Sequence, residues 1–372
     1  MKKAVIIGLG AIGAVHTTAL VQSDFASIAA ICDIDTAKLV KTAAEIPYPV
    51  RTYTDYKAML AEVKPEVVHV CTPHFLHKPM AIDSMLAGAD VYLEKPAALN
   101  YEEGLEILNV EKQTGRHVCV SFQNRVIPTN LTAKAIIDSG ELGAFLGARA
   151  FMTWNRSGAY YTESPWRGRF ATEGGGVLMN QSIHTLDMLY YFGGKIDHTF
   201  GTASLRKNGN IIEEEDTAEA TITYANGKTA IFYATNCNVT DASVLIEVYL
   251  EKGKLLLQDN KLYKDCGKGY EVVVDDSDQM AIGKLVWGNG HAMMMKRFYG
   301  ALDGGTEYYC TLEDALPVLK VIGVTELYYM AGVIKRINLQ TFQTYTVICV
   351  LYFILTFSVT RILRAVEKKL DG

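Results

Sequence analysis

The fold is decided by the run Ala4-Val5-Ile6-Ile7-Gly8-Leu9-Gly10-Ala11-Ile12-Gly13, in which four apolar residues lead without a gap into three spaced glycines. The spacing predicts a buried strand that turns tightly into a helix. In such a turn the first glycine permits the bend, the second lets the backbone approach a pyrophosphate, and the third lets helix and strand pack closely. Because the N-terminus of a helix binds anions, Gly8 to Gly13, including Ala11 and Ile12, predict a dinucleotide-binding loop.

A second predicted strand, Ile28-Ala29-Ala30-Ile31-Cys32, ends at Asp33. A carboxylate about twenty residues beyond the glycines is placed to accept hydrogen bonds from ribose hydroxyls, and it would repel a 2′-phosphate. Asp33 therefore favours NAD as the cofactor. Lys38 follows closely enough to keep the use of NADP open.

Strands and helices alternate along the chain as far as residue 121. The predicted strands cover residues 66–71, 90–94 and 118–121, and the predicted helices cover residues 80–87 and 101–115. This alternation predicts a parallel, doubly wound sheet, so residues 1–121 are interpreted as an α/β Rossmann domain. Thr72, Pro73 and Glu94 follow predicted strands, which places them at the carboxyl edge where ligands bind.

The pattern changes after residue 122. Segments 218–224 and 229–234 alternate apolar and polar residues, as antiparallel strands do. Asn226-Gly227 between them predicts a hairpin turn. We interpret residues 122–337 as an α+β domain with a mostly antiparallel sheet, in which the acidic run 213–216 is expected to form a solvated loop.

Composition narrows the class of protein. The chain has 372 residues, of which 49% are hydrophobic, and a formal net charge of -5. It is long enough for two domains and lacks the basic surface that nucleic-acid binding requires. Seven scattered cysteines without a Cys-x-x-Cys pair predict reduced, mostly buried thiols in the cytosol and no metal site. The apolar N-terminal stretch runs into the glycine motif, so a cleaved signal is not predicted.

The tail, residues 338–372, is different. Residues 338–360 carry no charged side chain, and basic residues flank them on both sides. This pattern predicts a hydrophobic helix that spans or lies on a membrane. The alternative is a helix buried in the fold or against a second subunit, because the segment also contains Thr, Ser and Gln.

Lys95 follows the strand that ends at Glu94, at the edge that carries the glycine loop. Its side chain is therefore expected to face the nicotinamide end of a bound dinucleotide. Burial beside a positively charged ring lowers the pKa of a lysine toward the range that acid–base catalysis requires. A lysine at the protein surface is the alternative.

Three glycines, Gly174-Gly175-Gly176, lead into a predicted helix that carries Asn180, His184 and Asp187. Side chains four and three residues apart share one helix face. A single histidine on a helix is more often structural than catalytic. Three aligned polar groups beside a glycine-rich turn favour function, so we expect His184 to accept a proton.

These motifs resemble the Gfo/Idh/MocA family of oxidoreductases over residues 2–335. The resemblance is carried by GxGxxGxxH ending at His16, by Thr72-Pro73 with His77, by Glu94-Lys95-Pro96 through Asn100, and by the three glycines through Asp187. It implies a Rossmann domain, a second domain with a large open sheet, NAD or NADP as cofactor, and redox chemistry at a hydroxyl-bearing carbon of a sugar, cyclitol or sugar derivative.

By position, the resemblance implies that Lys95 hydrogen-bonds the reacting hydroxyl and that His184 takes its proton. It also implies cofactor contacts for His77 and Gln123, and a substrate or cofactor contact for Arg125. Asn180 departs from members of the inositol dehydrogenase type, which carry an aspartate there. Since an amide cannot shuttle protons, Asn180 is expected to orient the substrate or His184, and inositol becomes a less suitable substrate.

Residues 154–156 and 160–168 are rich in aromatic and arginine side chains and precede the three glycines. Tyr161 and Trp166 are suited to stack on a sugar ring. Arg167 or Arg156 is suited to bind a carboxylate or phosphate with two hydrogen bonds. A loop that only packs over the sheet is the alternative.

The tail resembles the end of an amino-acid ABC-transporter permease through residues 342–345 and 351–353. A gene fusion or an artefact of one both fit this resemblance. A genuine tail would attach a cytoplasmic dehydrogenase to a membrane.

The sequence thus predicts an NAD(P)-dependent dehydrogenase acting on CH–OH groups of a polyol or sugar. A dinucleotide-binding regulatory or sensor protein without turnover is one alternative, and a membrane-anchored scaffold is another. Retention of both Lys95 and His184 argues against the sensor. Family analogy implies a homodimer or homotetramer.

Overall fold

The computed structural model describes residues 1–277, 289–323 and 350–352. A parallel six-stranded sheet forms the first part of the fold, with the strand order β3-β2-β1-β4-β5-β6. Its strands are β1 (Lys2–Ile7), β2 (Ala26–Cys32), β3 (Arg51–Tyr53), β4 (Val67–Val70), β5 (Asp90–Leu93) and β6 (Val118–Val120). Its helices are α1 (Ala11–Val21), α2 (Thr36–Glu45), α3 (Tyr56–Val63), α4 (His77–Leu86) and α5 (Tyr101–Thr114). This order is that of a Rossmann fold, so the predicted α/β class is confirmed.

An eight-stranded sheet forms the second part, in the order β14-β13-β12-β11-β7-β10-β9-β8. Its strands are β7 (Phe145–Thr153), β8 (Ile196–Ser204), β9 (Thr217–Tyr224), β10 (Thr229–Thr235), β11 (Leu245–Leu250), β12 (Gly253–Gln258), β13 (Lys261–Asp265) and β14 (Glu271–Asp275). Helices in this part of the chain include α6 (Pro128–Ser139), α7 (Gly158–Thr162), α8 (Ile183–Gly193) and α9 (Gly290–Leu302), and residues 312–323 are also helical. The pairs are antiparallel except for β7 with β10, so the sheet is mixed. Asn226 and Gly227 lie in the turn between β9 and β10, as predicted.

The chain returns to the first sheet after the second one. Thr311 forms an antiparallel bridge with Cys119 of β6. The Tyr299 hydroxyl of α9 lies 2.8 Å from His69 of β4. A side chain at Gly104 of α5 would collide with Leu316, which explains the glycine in mid-helix. The boundary placed at residue 121 stays a prediction, and these contacts show that later residues help to cover the Rossmann sheet.

Two sequence predictions about the second part of the chain are wrong. Glu213 is exposed, but the rest of the acidic run is not solvated, because Glu214, Glu215 and Asp216 are all fully buried. Asn180 does not share a helix face with His184, because α8 begins only at Ile183 and Asn180 lies in the preceding turn.

The described cysteines are free thiols, and four of the six are buried. The predicted tail helix falls outside the described residues except for residues 350–352, which are helical and exposed. Within the ranges that the structure covers, no helix combines the length and the apolar character needed to cross a membrane.

Candidate active site

The glycine loop lies where β1 meets α1. Gly8 has a φ of +92°, and a Cβ there would lie 2.7 Å from the Cys71 carbonyl oxygen. A Cβ on Gly13 would lie 2.1 Å from the Gly8 carbonyl oxygen. Packing therefore requires both glycines. At Gly10, by contrast, a Cβ would meet no atom within 4 Å, and no side chain caps the helix there. This open helix N-terminus, flanked by Ala11 and Ile12, fits a pyrophosphate.

Asp33 lies at the end of β2 beside this loop. Its Oδ2 accepts a hydrogen bond of 2.7 Å from the Leu9 N–H, and its Oδ1 accepts one of 2.9 Å from the Asp35 N–H. The carboxylate is therefore held in one orientation before a ligand binds. Lys38 lines a cavity of about 300 Å³ that also borders Gly10, so a cation is present near the loop.

His77 joins two turns at the carboxyl edge of the sheet. Its Nδ1 lies 2.6 Å from the Pro96 carbonyl oxygen, and its Nε2 lies 2.9 Å from the Thr72 carbonyl oxygen. Both turns follow strands of the sheet, after β4 and after β5. His77 therefore connects the Thr72-Pro73 turn to the Lys95-Pro96 turn and fixes their relative positions.

Glu94 is buried among histidines. Its Oε1 lies 2.9 Å from His16 Nε2 and 3.8 Å from His291 Nε2. Although burial raises the pKa of Glu94, the hydrogen bond from His16 and the neighbouring rings outweigh it and lower the pKa below its usual range. His16 Nδ1 in turn lies 3.0 Å from His69 Nδ1. Glu94, which directly precedes Lys95, is therefore an anion, and its carboxylate contacts histidine side chains.

Lys95 contacts the turn that follows the three glycines. Its Nζ donates to the Asn180 carbonyl oxygen at 2.9 Å and to Asn180 Oδ1 at 3.2 Å. Burial lowers the pKa of Lys95, the charges of Glu94 and Glu173 oppose that effect, and Arg167 adds to it. The structure therefore brings Lys95 and Asn180 together across the two parts of the fold.

His184 lies in the first turn of α8. Its Nδ1 is buried without a hydrogen-bond partner among the described residues, and its ring meets Phe122 edge to face. Burial, reinforced by the charge of Lys95, lowers the pKa of His184 to about 3. The imidazole is therefore neutral at physiological pH.

Glu173 was not predicted from the sequence as a site residue. It is 1% exposed, its Oε1 accepts a hydrogen bond from Asn180 Nδ2, and its Oε2 accepts one from the Gly168 N–H. Glu214 and Glu215 lie beside it and accept hydrogen bonds from the N–H groups of the glycine turn. These bonds explain why the acidic run is buried. A glutamate directly before three glycines was the only signal in the sequence.

Arg167 lies close to two aromatic rings. Its guanidinium carbon is 4.2 Å from the centre of the Tyr160 ring and 5.3 Å from that of Trp166. Its Nε is buried and has no partner in the described part of the chain. Arg156, the other candidate anion ligand, is instead paired with Asp241 at 3.1 Å. Arg167 is therefore the freer of the two guanidinium groups.

Two predicted residues, Arg125 and Tyr161, make contacts with other protein groups, and a third, Gln123, is buried. Arg125 is 2% exposed and binds the carboxylate of Asp187 with two nitrogens, at 2.9 and 2.6 Å. Tyr161 is 4% exposed, and its hydroxyl accepts a hydrogen bond from Asn236, whereas Tyr160 next to it contacts Arg167. Gln123 is 2% exposed, and its Oε1 has no partner among the residues that the structure covers.

Comparisons with known proteins agree with this arrangement. Residues 2–122 match the model of the oxidoreductase family with an NAD-binding Rossmann fold, and residues 130–256 match that of the GFO/IDH/MocA C-terminal domain. An uncharacterized oxidoreductase of Synechocystis sp. is 28% identical over 287 residues, which cover 72% of this chain and 74% of that protein. The D-glucoside 3-dehydrogenase of Escherichia coli is 28% identical over 190 residues, which cover 50% and 52%.

The WlbA dehydrogenase of Bordetella pertussis, solved in complex with NADH and UDP-GlcNAcA, has the same fold. It superposes with a TM-score of 0.77 at 23% identity, covering 89% of this chain and 97% of that chain. The two matched domains include the glycine loop, Lys95, Asn180 and His184. The chain belongs to the Gfo/Idh/MocA family of NAD-binding oxidoreductases.

Proposed function

We propose that the protein is an NAD-dependent dehydrogenase that oxidises or reduces a hydroxyl-bearing carbon of a sugar or polyol, with Lys95 and His184 as its catalytic residues. The observation that carries the proposal is the meeting of Lys95, which follows β5, with the turn before α8. Gly10 and Asp33 are proposed to hold the pyrophosphate and the adenosine ribose, with the Thr72–Pro73 turn, His77, Glu94 and Gln123 supporting or lining the nicotinamide end. The bound nicotinamide supplies the hydride acceptor or donor.

Lys95 is proposed to bind the reacting oxygen. An ammonium group has three N–H donors, and two of them are directed to oxygens of Asn180. The third is left for a substrate hydroxyl, and it stabilises the negative charge that develops there as the proton leaves. His184, a neutral base without a hydrogen bond in the described residues, is proposed to take that proton.

Trp166 and Arg167 are proposed to contact the rest of the substrate. An arginine with a buried, unpartnered Nε and two aromatic rings close to its guanidinium group is suited to a sugar that carries a carboxylate or phosphate. Tyr160 is better placed than Tyr161 for this role, because Tyr160 contacts both Arg167 and the Asn180 turn. Arg125 is proposed to position α8 through Asp187.

The test uses the substrate that gives the fastest turnover in a panel of sugars, polyols and sugar acids. Lys95→Met and His184→Asn are each expected to lower kcat by about a hundredfold or more while the Kd for NAD stays near that of the wild type. Lys112→Met and His117→Asn, at the opposite edge of the sheet, are matched controls. Tight NAD binding without turnover of any compound would favour the sensor.

The assembly and location of the enzyme are further proposals, which rest on sequence alone. We propose a homodimer or homotetramer, testable by light scattering. We also propose that the tail associates with membranes, so the full chain is expected in the membrane fraction and a chain cut before Thr341 in the supernatant. Equal distribution of the two would refute the attachment.

A further inference from the structure

The side-chain amide of Asn180 lies between two opposite charges. Its Oδ1 is 3.2 Å from Lys95 Nζ, and its Nδ2 donates to Glu173 Oε1. A flipped amide would turn its N–H groups toward the ammonium and its oxygen toward the carboxylate, so both contacts would be repulsive. Glu173 and Lys95 therefore favour the same orientation of the amide, in which its oxygen faces Lys95.

The hydrogen bonds around Glu173 and Glu214 indicate that Glu173 is the ionised group of the two. It already accepts two N–H groups, from Asn180 and from Gly168. Glu214 contacts Glu173 and accepts only one N–H group, from Gly175 at 2.8 Å. Its Oε2 has no N–H partner in the described part of the chain. Two buried carboxyl groups in contact share a proton, and the group with fewer donors retains it. We therefore assign the shared proton to Glu214 and the negative charge to Glu173.

The pKa shifts agree with this assignment. Burial raises the pKa of Glu214, and the charges of Glu173 and Glu215 raise it further. Burial also raises the pKa of Glu173 above its usual value, although the hydrogen bonds from Gly168, Asn180 and Glu214 and the charge of Arg167 oppose that effect. Because only Glu173 has these opposing contacts with a cation and with two donors, we assign the negative charge of the pair to the carboxylate that faces Asn180.

We propose that Glu173 is a positioning residue of the active site, which holds the amide oxygen of Asn180 toward Lys95 and so fixes Lys95 for the substrate hydroxyl. Glu173 does not touch the reacting atoms in this account, because it acts only through Asn180. The inference rests on the proposed function, since a fixed ammonium group serves a protein that binds a hydroxyl.

Glu173→Gln tests the proposal without a change of shape. The Gly168 N–H still needs an acceptor, so the new amide oxygen takes that place and its NH₂ faces Asn180 Nδ2. Two donors then meet, Asn180 Nδ2 loses its acceptor, and the amide oxygen is no longer held firmly toward Lys95. We expect kcat to fall about tenfold to a hundredfold, with the Kd for NAD unchanged.

Asn180→Asp separates positioning from a structural role. Added to Glu173→Gln, it supplies a carboxylate that accepts hydrogen bonds both from the NH₂ group introduced at position 173 and from Lys95, so we expect kcat to recover about tenfold. In the wild-type background the same change sets two carboxylates against each other and is expected to lower kcat about tenfold. A substitution that harms one background and repairs the other is not expected from a residue that only supports the fold.

Two further variants calibrate the result. Glu111→Gln changes a glutamate at the opposite edge of the sheet, whose Oε1 accepts from the Val118 N–H, and serves as the matched control. Glu214→Gln replaces the acid O–H by an amide N–H that still donates to Glu173, so kcat is expected to stay within about threefold of the wild type. An equally large loss in Glu214→Gln and Glu173→Gln would overturn the proposal.

A readout without turnover keeps this test separate from the proposed function. NMR of lysine labelled at the ε-carbon follows the titration of Lys95, whose pKa is expected to fall in Glu173→Gln and to recover with Asn180→Asp. A titration that does not move refutes Glu173 as the positioning residue even if the enzyme turns over. A titration that moves as expected in a protein without turnover supports it and rejects only the dehydrogenase. If Glu173→Gln does not fold, unimpaired kcat and an unshifted Lys95 in Asn180→Asp alone refute the proposal.

Discussion

Gly10→Ala separates what the cofactor requires from what the fold requires. A methyl group at Gly10 would meet no protein atom within 4 Å, and the backbone there, with φ of -72° and ψ of -166°, is open to any residue. We expect the free energy of unfolding to change by less than about 1 kcal/mol. The methyl group instead occupies the space in which a pyrophosphate approaches the helix N-terminus. The Kd for NAD is therefore expected to rise about thirtyfold to a hundredfold, or about 2–3 kcal/mol.

The assay measures NAD binding by calorimetry and unfolding by thermal denaturation in the same samples. Gly300→Ala, on α9 and with no atom within 4 Å of the added Cβ, is the matched control and should bind NAD normally. Gly13→Ala should lose stability, because its Cβ would lie 2.1 Å from the Gly8 carbonyl oxygen. The reasoning fails if Gly10→Ala binds NAD like the wild type, or if it unfolds as readily as Gly13→Ala.

Three other predictions concern cofactor choice, stability and pH. Asp33→Ala is expected to raise the Kd for NAD about tenfold and to strengthen NADP binding relative to NAD binding, with both measured by calorimetry. An unchanged ratio of the two Kd values would contradict the role of Asp33. Asp187→Asn leaves the buried Arg125 with only the more distant Asp314 carboxylate, at 4.0 Å, and should lower the free energy of unfolding in urea by about 3–5 kcal/mol. A loss below about 1 kcal/mol would mean that the pair does not stabilise the fold. Because His184 has a folded pKa of about 3, below its unfolded value of 6.5, the wild type loses stability at this ring as the pH falls below 6.5. His184→Asn removes this dependence. The difference in free energy of unfolding between the variant and the wild type should therefore shift by about 2 kcal/mol in favour of the variant from pH 7 to about pH 5. If that difference does not change with pH, the ring is not buried and neutral.

Local signals predicted much of the fold well. The glycine run, the apolar strands and Asn226-Gly227 each specify a conformation within a few residues, and the structure has the predicted strand, helix or turn at each place. β3 (Arg51–Tyr53) escaped prediction because it has three residues, none of them buried, and so carries no hydrophobic pattern.

Contacts between distant residues explain the remaining differences. The sequence of the acidic run predicts a solvated loop, because its partners are distant in the chain. Glu214 and Glu215 accept hydrogen bonds from N–H groups of the glycine turn, 39 residues away. The parallel pairing of β7 with β10 depends on the arrangement of the whole sheet, so the sequence of neither strand predicts it. Arg125 resembles a substrate ligand in sequence, and only the position of Asp187 reveals it as a buried ion pair. Glu173 was missed for the same reason.

Hydride transfer from a substrate carbon tests the central claim most directly. The purified protein is incubated with NAD and a panel of sugars, polyols and sugar acids that carry deuterium on their hydroxyl-bearing carbons, and NADH is analysed by mass spectrometry. We predict that at least one compound yields NADH carrying deuterium, and that Lys95→Met and His184→Asn abolish this product while both still bind NAD. NAD that binds tightly but never acquires deuterium from any compound would contradict the account.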